Sequence, residues 1–80
     1  MVTETLVDQR TFLWDFFGPA APLTAAHFKK HLDEFLARNA LEGCETGTRS
    51  EAPGHMAAFC RTPSVHWSAV QHSLRPKRAL

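Results

Sequence analysis

The sequence predicts an α+β domain of two layers, in the order strand, helix, strand, strand, helix, with a three-stranded antiparallel sheet in spatial order 1-3-2. Three observations lead there. The runs TFLWDFF (Thr11–Phe17) and HMAAFCR (His55–Arg61) are apolar on both parities, so each asks for cover on two sides and belongs inside a sheet. Between them, residues 25–40 repeat apolar groups at helical spacing, and Pro53-Gly54 supplies a tight turn just before His55.

The first strand reads from about Thr5 to Phe17. Its later part sets Phe12, Trp14 and Phe16 on one side and Leu13, Asp15 and Phe17 on the other, while the earlier part alternates more polar residues that can face water. Gly18-Pro19-Ala20-Ala21-Pro22 stops it, because proline lacks the ladder donor and restricts the residue before it. Thr24 then reads as a helix N-cap, with Leu23 placed to staple against Phe28. Phe28, Leu32, Phe35 and Leu36 form the buried stripe, Lys29, Lys30, Asp33, Glu34 and Arg38 the wet face, and Gly43 suits a left-handed exit.

Cys44–Ser50 alternates weakly around Gly47 and suits an edge strand. His55–Arg61, turned back by Pro53-Gly54, suits the centre of the sheet. Thr62-Pro63 reads as the start of a second helix, in which Trp67, Val70 and Leu74 share one face. The domain is therefore expected over residues 1–74, followed by a loose basic tail over residues 75–80.

Eighty residues and 9.0 kDa, 44% hydrophobic and 21% charged, make a single globular domain with little room for a deep active site. A chain of this size buries only about 60% of the surface its unfolded state exposes, so a second copy is a natural way to enlarge the core. A net charge of +1 gives no field that would recruit nucleic acid or an acidic membrane. No apolar run approaches the roughly 20 residues of a spanning helix, and the acidic start of MVTETLVDQR is unlike a secretory signal. With only Cys44 and Cys60, in no CxxC spacing, the expectation is a cytoplasmic chain with reduced thiols.

One long and one short helix leave part of the sheet without a second layer. The aromatic patch around Phe12, Trp14 and Phe16, or the residues opposite them, can close against the terminal helix or against a second copy. The edge of strand 1 is another route to a dimer. Asp15 interrupts the most apolar run of the chain, and its carboxylate must reach water, a ligand or a cation such as Arg61, Arg49 or a histidine.

His27 and His31 stand four apart on the long helix, where two imidazoles can hold one ion, zinc being the metal to consider. HFKKH lacks the glutamate of HExxH, and the remaining ligands would have to come from Asp15, Cys44, His55, Cys60 or His66. Cys44 and Cys60 can share a sheet face, but a slip of one residue in register would separate them. A nucleophilic Cys60 would need His55 or His66 within hydrogen-bond reach. Aromatics on an open sheet with Arg49, Arg61 and the tail residues Arg75, Lys77 and Arg78 would suit RNA or single-stranded DNA, against which Glu42, Glu45 and Glu51 weigh. The four glycines form no phosphate loop, and no acid pair has the spacing for glycoside chemistry. The residues thus favour a homodimeric module binding protein or a small ligand over an enzyme. Phe12, Trp14, Asp15, Phe16 and Arg61 are its contact candidates, and no cofactor is required.

Overall fold

A computed structural model describes residues 8–80. The elements are β1 (Gln9–Phe17), α1 (Ala21–Arg38), β2 (Glu45–Ala52), β3 (His55–Pro63), α2 (Trp67–Leu74) and β4 (Arg78–Ala79), with a 3-10 turn at Ser64–His66 leading into α2. The strands form one antiparallel sheet in the order β2-β3-β1-β4. Its first three members have the expected adjacency. Thr5, Leu6 and Val7, the expected start of strand 1, lie outside the described residues.

The fourth strand corrects the three-stranded sheet and the loose tail. Phe12 pairs with Ala79 and Leu13 with Arg78. The amides of Lys77 and Leu80 donate to the carbonyls of Leu13 and Thr11 at 2.9 and 2.8 Å. The segment is short and polar and owes its strand geometry to the donors and acceptors on the outer side of β1. That pairing also occupies part of the edge considered above for a dimer.

β3 takes the centre because both of its sides are covered by neighbours, with Cys60 opposite Phe12 and Thr46 and Ala58 opposite Trp14 and Thr48. The β2–β3 hairpin turns through Pro53 and Gly54, whose φ of +75° is the left-handed geometry expected at that position. An irregularity between Ser50 and Ala52 shifts the register just before the turn.

Both helix starts differ from expectation. α1 begins a turn before Thr24, with proline in its first turn, where a missing donor is harmless. Thr24 therefore donates back to the Ala20 carbonyl at 3.0 Å instead of capping, and Leu23 points outward at 78% exposure. At the far end Leu41 N–H donates to Leu36 O at 2.9 Å and Ala40 N–H to Ala37 O at 3.2 Å, the paired bonds of a Schellman stop. Its left-handed position is Ala40, φ +55°, rather than Gly43. Thr62 and Pro63 extend β3 instead of opening α2, because they pair with Arg10 and Gln9 and are buried. The Trp67, Val70 and Leu74 face of α2 is as expected.

Both helices lie on the same side of the sheet. Phe12, Trp14, Ala58 and Cys60 meet Leu32, Leu36 and Val70, with Phe16, Phe28, Phe35, Leu41, Trp67 and Leu74 around them. Trp14 sits 5.1 Å from Phe28 between ring centroids and donates its indole N–H to Leu74 O at 2.8 Å, tying the end of α2 to the sheet. Each large side chain buried here contributes roughly 1.5–3 kcal/mol from area removed from water.

Candidate functional site

The side of the sheet that faces away from α1 and α2 carries the other parity of each strand. It displays Thr11, Leu13, Asp15 and Phe17 from β1, His55, Ala57, Phe59 and Arg61 from β3, and Glu45, Gly47 and Arg49 from β2. Arg78, opposite Leu13, adds β4 to the same face. Among the described residues no helix covers it. Leu13 and Ala57 are nonetheless fully buried. Phe59 stands opposite both Leu13 and Gly47, and its ring leans over the glycine so closely that a β-carbon there would lie 2.6 Å from it.

Asp15 is the hub of this face. Arg78 grips it with a fork, Nε to Oδ2 at 2.9 Å and Nη2 to Oδ1 at 2.7 Å. His55 Nε2 lies 2.8 Å from Oδ1. The same Arg78 Nη2 is 3.4 Å from Glu51 Oε2, which Arg49 Nε approaches to 2.7 Å. That Glu51 oxygen is buried and, with two cations beside it, makes no well-aligned hydrogen bond. Phe17 stacks on His55 at 4.4 Å between centroids and leaves 72% of its own surface in water. The chain of contacts from Phe17 to Arg49 crosses all four strands.

The Arg78 fork, with a smaller contribution from His55, holds the Asp15 carboxyl below its ordinary value of 3.8 in spite of the opposing loss of solvent. In turn the carboxylate raises the Arg78 value further above its usual one. Asp15 is thus an anchored anion that organises two strand ends, β4 and the start of β3, and its hydrogen-bonding capacity is turned inward. Such an anion does not serve as a proton carrier near neutral pH.

The other residues singled out by sequence are distributed elsewhere. Phe12 is fully buried and Trp14 retains 5% of its surface, so these two contact candidates are core residues, and Phe16 packs on Phe28 at 5.6 Å. The physical reason is that α2 folds onto the same face as α1 and completes the cover. Arg61 is exposed on the helix-free face and forms no ion pair among the described residues. Arg75 caps α2 with φ +48°, Lys77 leads into β4, and Arg78 is held by Asp15, so the three basic residues do not form one phosphate-facing cluster. Phe12 and Trp14, the first two rings of the aromatic run, thus lie in the core, and Phe17 is the ring of that run left exposed.

Cys44 and Cys60 are free thiols. Cys60 is opposite Thr46, whereas Cys44 Sγ meets Thr62 Oγ1 at 3.1 Å. Burial, reinforced by Cys44, pushes the Cys60 thiol up to about 12, which leaves it inert as a nucleophile at neutral pH. His27 and His31 come together on the exposed side of α1, across the sheet from the face that carries Asp15. Among the described residues no group of three or more His, Cys, Asp or Glu side chains converges on a common point. A concavity of about 480 Å³ lined by Leu36, Ala37, Ala40, Leu41, Glu42, Gly43 and Cys44 lies at the opposite end of the sheet from Asp15 and gathers no polar constellation.

Sequence reasoning identified Asp15 and allowed a histidine or an arginine as its partner. It missed Glu51 and assigned Arg78 to a tail. His55 was findable, since an antiparallel pairing of the ends of β1 and β3 places it diagonal to Asp15 on one face. No helix of the described residues is long and apolar enough to cross a membrane. Compared with known proteins, the chain matches no family model, no curated protein and no solved structure.

Proposed function

We propose that this chain is a small interaction domain that works as a homodimer, two copies meeting through their helix-free sheet faces. The observation that supports it is the face itself: Phe17, 72% exposed and stacked on His55 of a preformed Asp15–Arg78–His55 network, with Phe59 further along the same face and no described element above it. A second copy suits this surface because the charges balance. Three acids, Asp15, Glu45 and Glu51, stand against three arginines, Arg49, Arg61 and Arg78, so the face does not repel its own image. Most of those charges are already paired within the chain, which lowers the cost of taking them out of water. A single layer of helices on an 80-residue chain also leaves a core that gains from a second layer.

The reading assigns binding and no reaction. Two free thiols and the lack of a disulfide between Cys44 and Cys60 fit a cytoplasmic protein. The test is sedimentation velocity of the full chain at low to high micromolar concentration, beside Phe17→Glu. Phe17 is exposed at a strand end, so the variant should keep its circular dichroism spectrum while its dimer dissociates. A wild-type chain that stays monomeric across the range, or a folded Phe17→Glu chain that dimerises as before, would overturn the proposal.

A further inference from the structure

We propose that His27 and His31 form a two-histidine chelate for a divalent transition metal of tetragonal preference, copper(II) or nickel(II), independent of the sheet-face contact. The two Nε2 atoms lie 3.0 Å apart as hydrogen-bond partners, so one of them carries a proton that an arriving ion displaces to solvent, and the rings meet edge to face at 84° with centroids 4.5 Å apart. Imidazole nitrogens sit about 2.05 Å from such ions, which puts two of them about 2.9 Å apart at a right angle and about 3.3 Å apart at the tetrahedral angle. The observed spacing, that of an ordinary hydrogen bond, is also the separation of neighbouring corners in a tetragonal shell, so the pair can exchange its proton for such an ion with little movement. Zinc, the metal the spacing in sequence first suggests, is held by at least three protein ligands in its usual sites, and among the described residues no third converges.

The surroundings support ligation through Nε2. Glu34 Oε1 lies 3.4 Å from His31 Nδ1, the ring nitrogen that does not face His27. A carboxylate on that side favours the proton on Nδ1 and leaves the Nε2 lone pair for a metal. Both histidines are exposed, so water completes the coordination shell without rearrangement of the fold. The i,i+4 spacing on an 18-residue helix puts the two side chains on one face, one turn apart, before the ion arrives.

The experiment is a titration of copper(II) alone into untagged, chelator-treated protein, followed by calorimetry and electron paramagnetic resonance. One ion per chain is expected, with nitrogen coupling from imidazole. His27→Ala and His31→Ala should each weaken it about tenfold or more, the double variant should lose it, and His72→Ala on α2 should leave it unchanged. Since both histidines are exposed, circular dichroism should show all variants folded. Unchanged stoichiometry and affinity in the double variant would overturn the site and leave the pair as a shared-proton contact. With cobalt(II) in place of copper, weak visible bands are expected. The intense bands of a four-coordinate ion would overturn the tetragonal geometry.

Discussion

Asp15→Asn removes one charge from the hub of the helix-free face while keeping its shape. A fully exposed ion pair contributes about 0.2–1 kcal/mol, and breaking a fully buried one costs about 3–5 kcal/mol. The Asp15 side chain keeps 13% of its exposure, His55 23% and Arg78 39%, so the network lies between those limits and solvent screens the arginine end. Asparagine can still accept from one partner, but its amide then faces donors of Arg78. The expected loss is about 2 kcal/mol, which for a domain of this size lowers Tm by about 10 °C. Urea denaturation of both proteins should show this gap at neutral pH.

The pH dependence then isolates the carboxylate. Asp15 has a folded pKa below its ordinary 3.8, so its stabilisation is complete above that value and is lost as pH falls through the lower, folded value. Asp33, lowered by Lys29 and Thr46, behaves in the same sense, but it is common to both proteins and cancels in the difference. The gap between wild type and Asp15→Asn should therefore close in acid. A gap below about 0.5 kcal/mol at neutral pH, within the range of ordinary surface substitutions, or one that persists unchanged in strong acid, would refute the charge-hub account.

Three further outcomes follow from the packing. Ala40→Gly should stabilise the fold by roughly 0.5–1 kcal/mol, because Ala40 occupies a left-handed Schellman position at φ +55°; a loss of stability in thermal melts would contradict that reading of the α1 stop. Gly47→Ala should destabilise by about 1–3 kcal/mol, since a β-carbon 2.6 Å from the Phe59 ring forces it off the sheet, and a neutral effect would mean that Phe59 has another rotamer at no cost. A thiol reagent on native protein at mildly alkaline pH should label half-buried Cys44 readily and fully buried Cys60 only on unfolding, the latter being held up to about 12; equal labelling of both would count against the core assignment of Cys60.

The parts of the fold legible in sequence were those set by two-sided burial. TFLWDFF and HMAAFCR could not both be edge strands, and Pro53-Gly54 fixed the hairpin, so the β2-β3-β1 adjacency was readable without knowledge of any contact. The helix starts were misread because a threonine offers two bonding modes. Thr24 bonds backward within α1 and Thr62 continues a strand, and only the position of proline relative to the sheet decides between cap and interior. β4 was not legible, because Arg-Pro-Lys-Arg carries no alternating pattern and its strand geometry is lent by β1. The His27 and His31 pair was legible as a spacing, but the 3.0 Å approach of its Nε2 atoms depends on rotamers that sequence does not specify.

The same short strand explains why the basic end of the chain does not stand apart once folded. In isolation, three basic residues at the end of a nearly neutral chain resemble a phosphate-seeking tail, and an aspartate among aromatics resembles a site awaiting a ligand. Folding lets each satisfy the other: Arg78 reaches Asp15 because β4 pairs beside Leu13, and the pairing neutralises the one carboxylate that the apolar strand could not leave bare. The resulting face is balanced in charge, apolar at Phe17 and Phe59, and rigid where Asp15 joins three strands. Those properties suit a surface that meets a copy of itself. They also place the burden of the proposal on Phe17, the large apolar group of that face that the fold leaves in water.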